Sequence, residues 1–332
     1  MIIRKAILHI IDLTRGVAVP SNEEMDYTRE DVREFIEKHV SRVLVDSNKR
    51  EAVFNPDSEF RNIVNGYGRS EFQFIPFSQK VMDRVYQEMA KSSNLESMDL
   101  LVIEFVEEDV EYVVGFLWAN QMAYTHKVIN EASGAKNEII RHFGIIPSTL
   151  QKIDSYFLIN MSKNELEFVD KKRKIAGDNV MILPEKILQC DYKASSREIL
   201  KTACTIAKEV AEEQGADITK TISKTKQFIA ENAEEKNKLQ PEEIWHAVAE
   251  GNEAMTKAFE EKAMEARLPK TVKVPQKYAA QKGGTHKIKT DTGIEITFPS
   301  SFASNTEYLR FINNSDGTIS IEIVNVGEII DR

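Results

Sequence analysis

The sequence has 332 residues, of which 42% are hydrophobic and 29% charged, and its formal net charge is −9. This composition excludes a disordered or fibrous protein, and the length suffices for two or three globular domains. The acidic balance excludes a protein whose whole surface binds nucleic acid, so any such surface must be local. The two cysteines, Cys190 and Cys204, exclude a disulfide framework and a four-cysteine zinc site, and a reducing cytoplasm is the expected compartment.

The N-terminal part combines strand and helix patterns. Residues 6–13 form an apolar run that predicts a buried strand and is too short to cross a membrane, so we expect no membrane association. Apolar residues at helical spacing predict helices over 26–46 and 78–91. Apolar runs separated by polar turns predict antiparallel hairpins, one joining 100–106 to 112–118 and another joining 155–160 to 166–169.

The next section has the composition of a helical region, with many Ala, Glu and Lys residues and few β-branched runs. We expect helices over 196–213, 217–232 and 241–267. Pro241 suits the first position of the last helix, because its missing N–H would have no helical partner there. Gly251 predicts a break in that helix.

The C-terminal part begins with a lysine-rich connector and continues as short strands. Lys270–Lys289 contains six lysines and no acidic residue. Turns rich in Asn, Asp and Gly predict strands at 287–290, 294–298, 308–312 and 318–324.

The predicted fold class is therefore α+β, in four parts. They are a mostly antiparallel N-terminal sheet with helices (1–184), a helical middle section (185–268), a basic connector (269–289) and a small C-terminal antiparallel β region packed on the rest (290–332).

The C-terminal strands resemble those of a known family. Residues 293–299 (Gly-Ile-Glu-Ile-Thr-Phe-Pro), 308–321 and 325–327 (Asn-Val-Gly) resemble the C-terminal end of the bacterial 37-kDa nucleoid-associated protein family. The chain mass of 37.8 kDa suits that family, and the helical middle and lysine-rich block occur in the expected order. The resemblance implies association with the bacterial nucleoid and DNA binding, and it brings no catalytic residue to carry over.

Two lysine-rich stretches are candidate DNA-binding surfaces, because clustered cations neutralise phosphates without reading base sequence. The first stretch is the connector, with Lys270, Lys273, Lys277, Lys282, Lys287 and Lys289. The second stretch follows a predicted strand and consists of Lys171, Lys172, Arg173 and Lys174. Each stretch also has an interpretation without DNA binding. The first could be a solvated linker, and the lysines of the second could prevent a sheet edge from pairing with other strands.

From these stretches we expect largely non-specific contacts with duplex DNA, with single-stranded nucleic acid as a further option. A homodimer would let one molecule bridge two DNA segments. The apolar stripe formed by Ile199, Ala203, Ile206 and Val210 is either the seam of such a dimer or part of an intramolecular core.

A magnesium-dependent nuclease, which could act in defence against foreign DNA, is the first alternative. Asp154, Asp170 and Lys172 have the outline of an acid on one strand and an acid-x-Lys pattern on its neighbour. The same pattern recurs at Asp191 with Lys193, so it is expected to occur by chance in a chain rich in Lys and acidic residues. A non-catalytic scaffold whose acidic faces bind basic protein partners is the second alternative.

The sequence contains no other recognisable catalytic motif. Glycine-rich nucleotide-binding motifs are missing, and the six histidines show no metal-ligand spacing, so we expect neither a cofactor nor a metal site. His9 and His39 lie in apolar patterns that favour positions in the core.

Overall fold

A computed structural model describes residues 1–92, 95–132, 134–175, 177–236, 238–274, 285–299, 302, 307–314 and 318–328. The chain divides into two compact units, the first made of Met1–Leu44 with Lys49–Lys193 and the second of Val45–Asn48 with Ala194–Arg332. The finer division into four parts stays a prediction. The α+β class is confirmed, with an N-terminal antiparallel sheet, helices and small C-terminal hairpins. None of the described helices is long and apolar enough to cross a bilayer.

The first unit contains twelve of the described strands, three α-helices and one π-helical turn. The strands are β1 (Ile2–Asp12), β2 (Val17–Val19), β3 (Arg50–Phe54), β4 (Ser97–Glu107), β5 (Val110–Ala119), β6 (Gln121–Glu131), β7 (Gly134–Ile145), β8 (Tyr156–Asn160), β9 (Glu165–Val169), β10 (Lys172–Ile175), β11 (Asp178–Met181) and β12 (Cys190–Tyr192). The helices are α1 (Glu30–Leu44), α2 (Glu59–Gly68) and α3 (Phe74–Met89), and the π-helical turn is Leu183–Leu188.

Eight strands form one antiparallel sheet in the order β12-β3-β9-β8-β5-β4-β1-β2. In β4, Leu100 and Val102 pack into one core with α2, α3 and the π-helical turn. Leu101 and Ile103 point to the opposite core, which α1 covers. Because helices cover both faces, this central strand is a continuous apolar run and not an alternating one.

The hairpins β4–β5 and β8–β9 confirm the two predicted for the N-terminal part. The two predicted helices are present with shifted starts. Asp26 accepts hydrogen bonds from the N–H and the hydroxyl of Thr28, and α1 begins only at Glu30. Helix α3 begins at Phe74, four residues before the predicted start, because Pro76 is tolerated in a first turn.

The second unit contains α4 (Ser196–Glu213), α5 (Ile218–Lys236), α6 (Pro241–Ala249) and α7 (Glu253–Glu265). Its described strands form three antiparallel pairs. Strand β13 (Lys238–Leu239) pairs with β14 (Val272–Lys273), which follows α6 and α7 in the chain. The other two pairs are hairpins, β15 (Thr285–Lys289) with β16 (Glu295–Pro299) and β17 (Leu309–Asn313) with β18 (Ile319–Ile323). The predicted helix over 241–267 is broken as expected, because Gly251 adopts a φ of +85° and Asn252 caps α7 by accepting the Met255 N–H.

The apolar stripe of α4 is part of the core of its own unit. Ile199, Ala203, Ile206 and Val210 are all buried, together with Trp245 and Phe259. These last two rings stack with their centroids 4.9 Å apart. The stripe is therefore already covered within the chain and is not available as the seam of a dimer.

Candidate nucleic-acid interface

The second lysine-rich stretch forms strand β10 and pairs with β11 in a two-stranded hairpin. Side chains alternate along a strand, so Lys172 and Lys174 share one face of the hairpin and Arg173 lies on the other. Both lysines are exposed, and neither forms an ion pair with a described residue. Their charges are therefore available to an external anion.

Arg173 has a different environment, because its guanidinium faces the interior. Its Nη1 lies 2.6 Å from Asp170 Oδ1, and its Nη2 lies 2.8 Å from Ser155 Oγ. The Asp170 side chain is fully buried and also accepts the Ser155 hydroxyl (2.7 Å) and the Leu183 N–H (2.8 Å). Arg173 thus balances a buried carboxylate, which makes it the least available of the four cations for a phosphate.

The residues of the nuclease alternative have contrasting surroundings. Asp154 is half exposed and pairs with Lys152 (3.5 Å) and Lys171 (3.8 Å). Asp170, by contrast, has its carboxylate occupied by three internal donors, which argues against a role as a ligand for Mg²⁺. Among the residues that the structure describes, no three acidic, histidine or cysteine side chains group together as a metal site.

A cavity of about 220 Å³ adjoins this stretch. Lys171 and Arg173 line it together with Lys152, Asp154 and Asn120. Sequence reasoning did not single out Lys152, because it is an isolated cation in a loop and only the fold brings it close to Lys171 through their shared partner Asp154.

The connector is described in part. Lys270 is exposed, and Lys273 is exposed on β14. Lys277 and Lys282 lie outside the described residues. The structure therefore locates four of the six predicted connector lysines.

Lys287 and Lys289 project from β15 toward the same carboxylate. Their ammonium groups lie 2.5 Å and 3.7 Å from Glu295 on β16. The hydrogen bond and charge of Lys287, followed by the hydrogen bond of Lys289, lower the pKa of Glu295. The carboxylate is therefore ionised at neutral pH and neutralises one of the two positive charges.

The histidines predicted for the core are buried there. His9 and His39 are fully inaccessible, and the His39 ring lies 4.5 Å from Phe35 and 4.9 Å from Trp118 between centroids. Burial lowers the pKa of each histidine to about 4. Both imidazoles are therefore neutral at pH 7 and add no positive charge to the interface.

Comparison with known proteins supports the resemblance seen in the C-terminal strands. A family model described as NA37, nucleoid-associated protein YejK, matches residues 7–330. No functionally curated protein matches the chain. Since the family match spans both units and nearly the whole sequence, the chain belongs to the nucleoid-associated protein YejK family.

Proposed function

We propose that this protein binds DNA in the bacterial nucleoid by non-specific contacts with phosphates and acts as a homodimer that bridges DNA. The observation that carries the proposal is the family match over residues 7–330. The lysine-rich stretches support it, because phosphate contacts need clustered cations and the acidic chain concentrates them in two places.

In the first unit, the contacts belong to Lys172 and Lys174, with Lys171 beside them. The first two are exposed on one face of the β10–β11 hairpin without an internal ion pair among the described residues. A lysine acts on phosphate as a flexible point charge, so this pair provides attraction without base recognition. Arg173 positions the hairpin through Asp170 and does not contact the DNA.

In the second unit, the contacts belong to the connector lysines. Lys270 carries an uncompensated charge among the described residues, whereas Lys287 and Lys289 share Glu295. A phosphate approaching these two lysines competes with an exposed carboxylate, and an exposed ion pair of this kind contributes little stability. Lys287 and Lys289 can therefore exchange Glu295 for a phosphate with little loss of stability.

Charge-removing variants test the contact residues. We expect Lys172→Gln with Lys174→Gln to weaken binding to a short duplex several-fold at low salt. We expect the quadruple variant Lys270→Gln, Lys273→Gln, Lys287→Gln and Lys289→Gln to weaken it further. Fluorescence anisotropy of a labelled duplex measures both, and single-stranded DNA and RNA of the same length establish the preferred polymer.

A matched control is the double variant Lys163→Gln with Lys201→Gln. Both lysines are exposed and lie outside the proposed contacts, so the variant loses the same formal charge as the β10 double variant. We expect it to bind nearly as tightly as the unmodified protein. Equal losses in the control and the β10 variant would show a general charge effect and would remove β10 from the interface.

A further inference from the structure

Strands β6 and β7 form a separate two-stranded ribbon, inserted between two neighbouring strands of the main sheet. The register runs from Gln121 opposite Ile145 to Glu131 opposite Gly134. The chain enters from β5 and returns to β8, and these two strands pair with each other. Among the described elements, no other helix or strand shares more than a passing contact with the ribbon.

One face of the ribbon, which we name the apolar face, carries most of its exposed hydrophobic side chains. Alternation and register place these residues on it: Met122, Tyr124, His126, Val128, Asn137, Ile139 and Arg141. Ile139 is 80% exposed and Tyr124 is 66% exposed. Phe143 stands at the bulge beside Met122 and is 64% exposed.

Such a face is costly to leave in water. An isolated two-stranded hairpin is marginally stable by itself, because it lacks a second layer against which to bury side chains. A contiguous exposed apolar patch on an otherwise charged protein marks an interaction surface. The apolar face therefore requires a covering partner.

The charges of the ribbon favour a protein partner over DNA. Lys127, Lys136 and Glu138 lie on the opposite face, where Lys136 and Glu138 pair at 2.6 Å. The apolar face carries only one permanently charged group, Arg141, among its described side chains. A phosphate backbone requires clustered cations, so duplex DNA is a poor match for this face.

We propose that the apolar face of the β6–β7 ribbon packs against the same face of a second copy of this chain. The inference deepens the homodimer of the proposed function, and it rests on that proposal. The face is self-complementary about a two-fold axis that lies between the two copies, runs perpendicular to the strands and passes over the cross-strand pair of His126 and Ile139. Tyr124 of one copy then packs against Val128 of the other. The Arg141 guanidinium of one copy donates a hydrogen bond to the side-chain amide oxygen of Asn137 in the other.

The size of the face fits this partner. Its large side chains, with Phe143, expose on the order of 500 Å² per copy, so pairing two copies covers about 1,000 Å², the lower bound of a specific interface. Two-fold pairing is also the commonest arrangement of homo-oligomers, since one patch serves both copies.

Mass measurements on the full chain without DNA test the proposal. We expect the unmodified protein to sediment as a dimer and Ile139→Arg to sediment as a monomer, with at least a tenfold weaker self-association. Thr125→Arg is the matched control, because Thr125 is exposed on the opposite face of the same ribbon. We expect this control to remain a dimer.

Cysteine cross-linking adds a readout of geometry. We expect a short bis-maleimide reagent to cross-link Ile139→Cys into a dimer, because the axis places the two copies of position 139 opposite each other across faces that pack about 10 Å apart, and Thr125→Cys to stay uncross-linked. A monomeric unmodified protein, or an Ile139→Arg variant that remains dimeric, would overturn the proposal.

Binding to a short duplex, measured in parallel, separates this inference from the proposed function. Loss of dimerisation in Ile139→Arg with retained DNA binding supports the ribbon as the self-association surface. An unmodified dimer that dissociates on Ile139→Arg but does not bind DNA supports the ribbon and rejects the DNA-binding proposal. An unmodified protein that is monomeric and loses DNA affinity on Ile139→Arg would make the ribbon a DNA-binding element and overturn the second copy as its partner.

Discussion

Arg173 and Asp170 form a buried ion pair, with the guanidinium Nη1 2.6 Å from Oδ1 of the carboxylate. Asp170→Ala would leave Arg173 and the Leu183 N–H without their acceptor, so we expect a loss of about 3–5 kcal/mol in the free energy of unfolding. Denaturant unfolding measures this loss.

Asp154→Ala is the control for that variant. Asp154 is half exposed, and its ion pairs with Lys152 and Lys171 are on the surface, so we expect a loss below about 1 kcal/mol. A nuclease site would instead make both aspartates essential for cleavage in Mg²⁺. Metal-dependent cleavage abolished by Asp154→Ala in a stable protein would restore the nuclease interpretation.

Gly115 is required by the ring of Phe157 on the neighbouring strand. A Cβ atom at position 115 would lie 2.3 Å from the Phe157 ring atoms. We expect Gly115→Ala to lower the free energy of unfolding by about 1–3 kcal/mol through overpacking. Gly68→Ala is the control, since its Cβ would meet only Met161 at an ordinary 3.6 Å.

A double-mutant cycle isolates the contact behind this prediction. Phe157→Leu should recover part of the loss caused by Gly115→Ala, because the smaller side chain leaves room for the added methyl group. Additive losses in the cycle would contradict the steric explanation.

Asp99 makes the protein less stable as the pH rises. Burial raises the pKa of its carboxyl group to about 6, above the ordinary value of about 3.9 in an unfolded chain. The folded state therefore holds the proton more tightly, and stability falls as the pH rises from about 4 to about 6. We expect Asp99→Asn to add on the order of 2 kcal/mol at pH 7 and nothing at pH 3.5, as thermal unfolding would show.

His39 produces the opposite dependence on pH. Burial, followed by the charge of Arg42, lowers its pKa to about 4, so the folded state resists protonation and stability is lost as the pH falls from about 6.5 to about 4. We expect His39→Phe to weaken this acid destabilisation by on the order of 2 kcal/mol at pH 4. An unchanged profile between pH 6.5 and 4 would show that His39 titrates normally.

The sequence predicts the helical elements best where local signals agree. The bounds of α4 match the prediction because its apolar stripe coincides with a capping box between Ser195 and Glu198. Helix α2 was missed, since it is short and contains Gly66 and Gly68. The β6–β7 ribbon was missed because it stands apart from the sheet and its side chains do not follow a simple alternation of apolar and polar residues.

In the candidate site, too, the sequence predicts features that depend on neighbouring residues but not those that depend on contacts formed by the fold. Lysine clusters are visible in the sequence, and Lys172 and Lys174 are exposed as a surface role requires. The sequence could not separate them from Arg173, because the partners of Arg173 are Asp170 and Ser155, which the fold brings together. Likewise, Glu295 becomes the partner of Lys287 only through the register of β15 and β16.

The salt dependence of DNA binding tests the central claim most directly. For a chain that neutralises phosphates with lysines, the logarithm of the affinity falls linearly with the logarithm of salt concentration, by about 0.9 for each phosphate contact. We predict such a slope for duplex DNA of unrelated sequences, and a flatter slope in the Lys172→Gln, Lys174→Gln variant. Affinity that is independent of salt, or no binding to duplex DNA at low salt, would contradict the account.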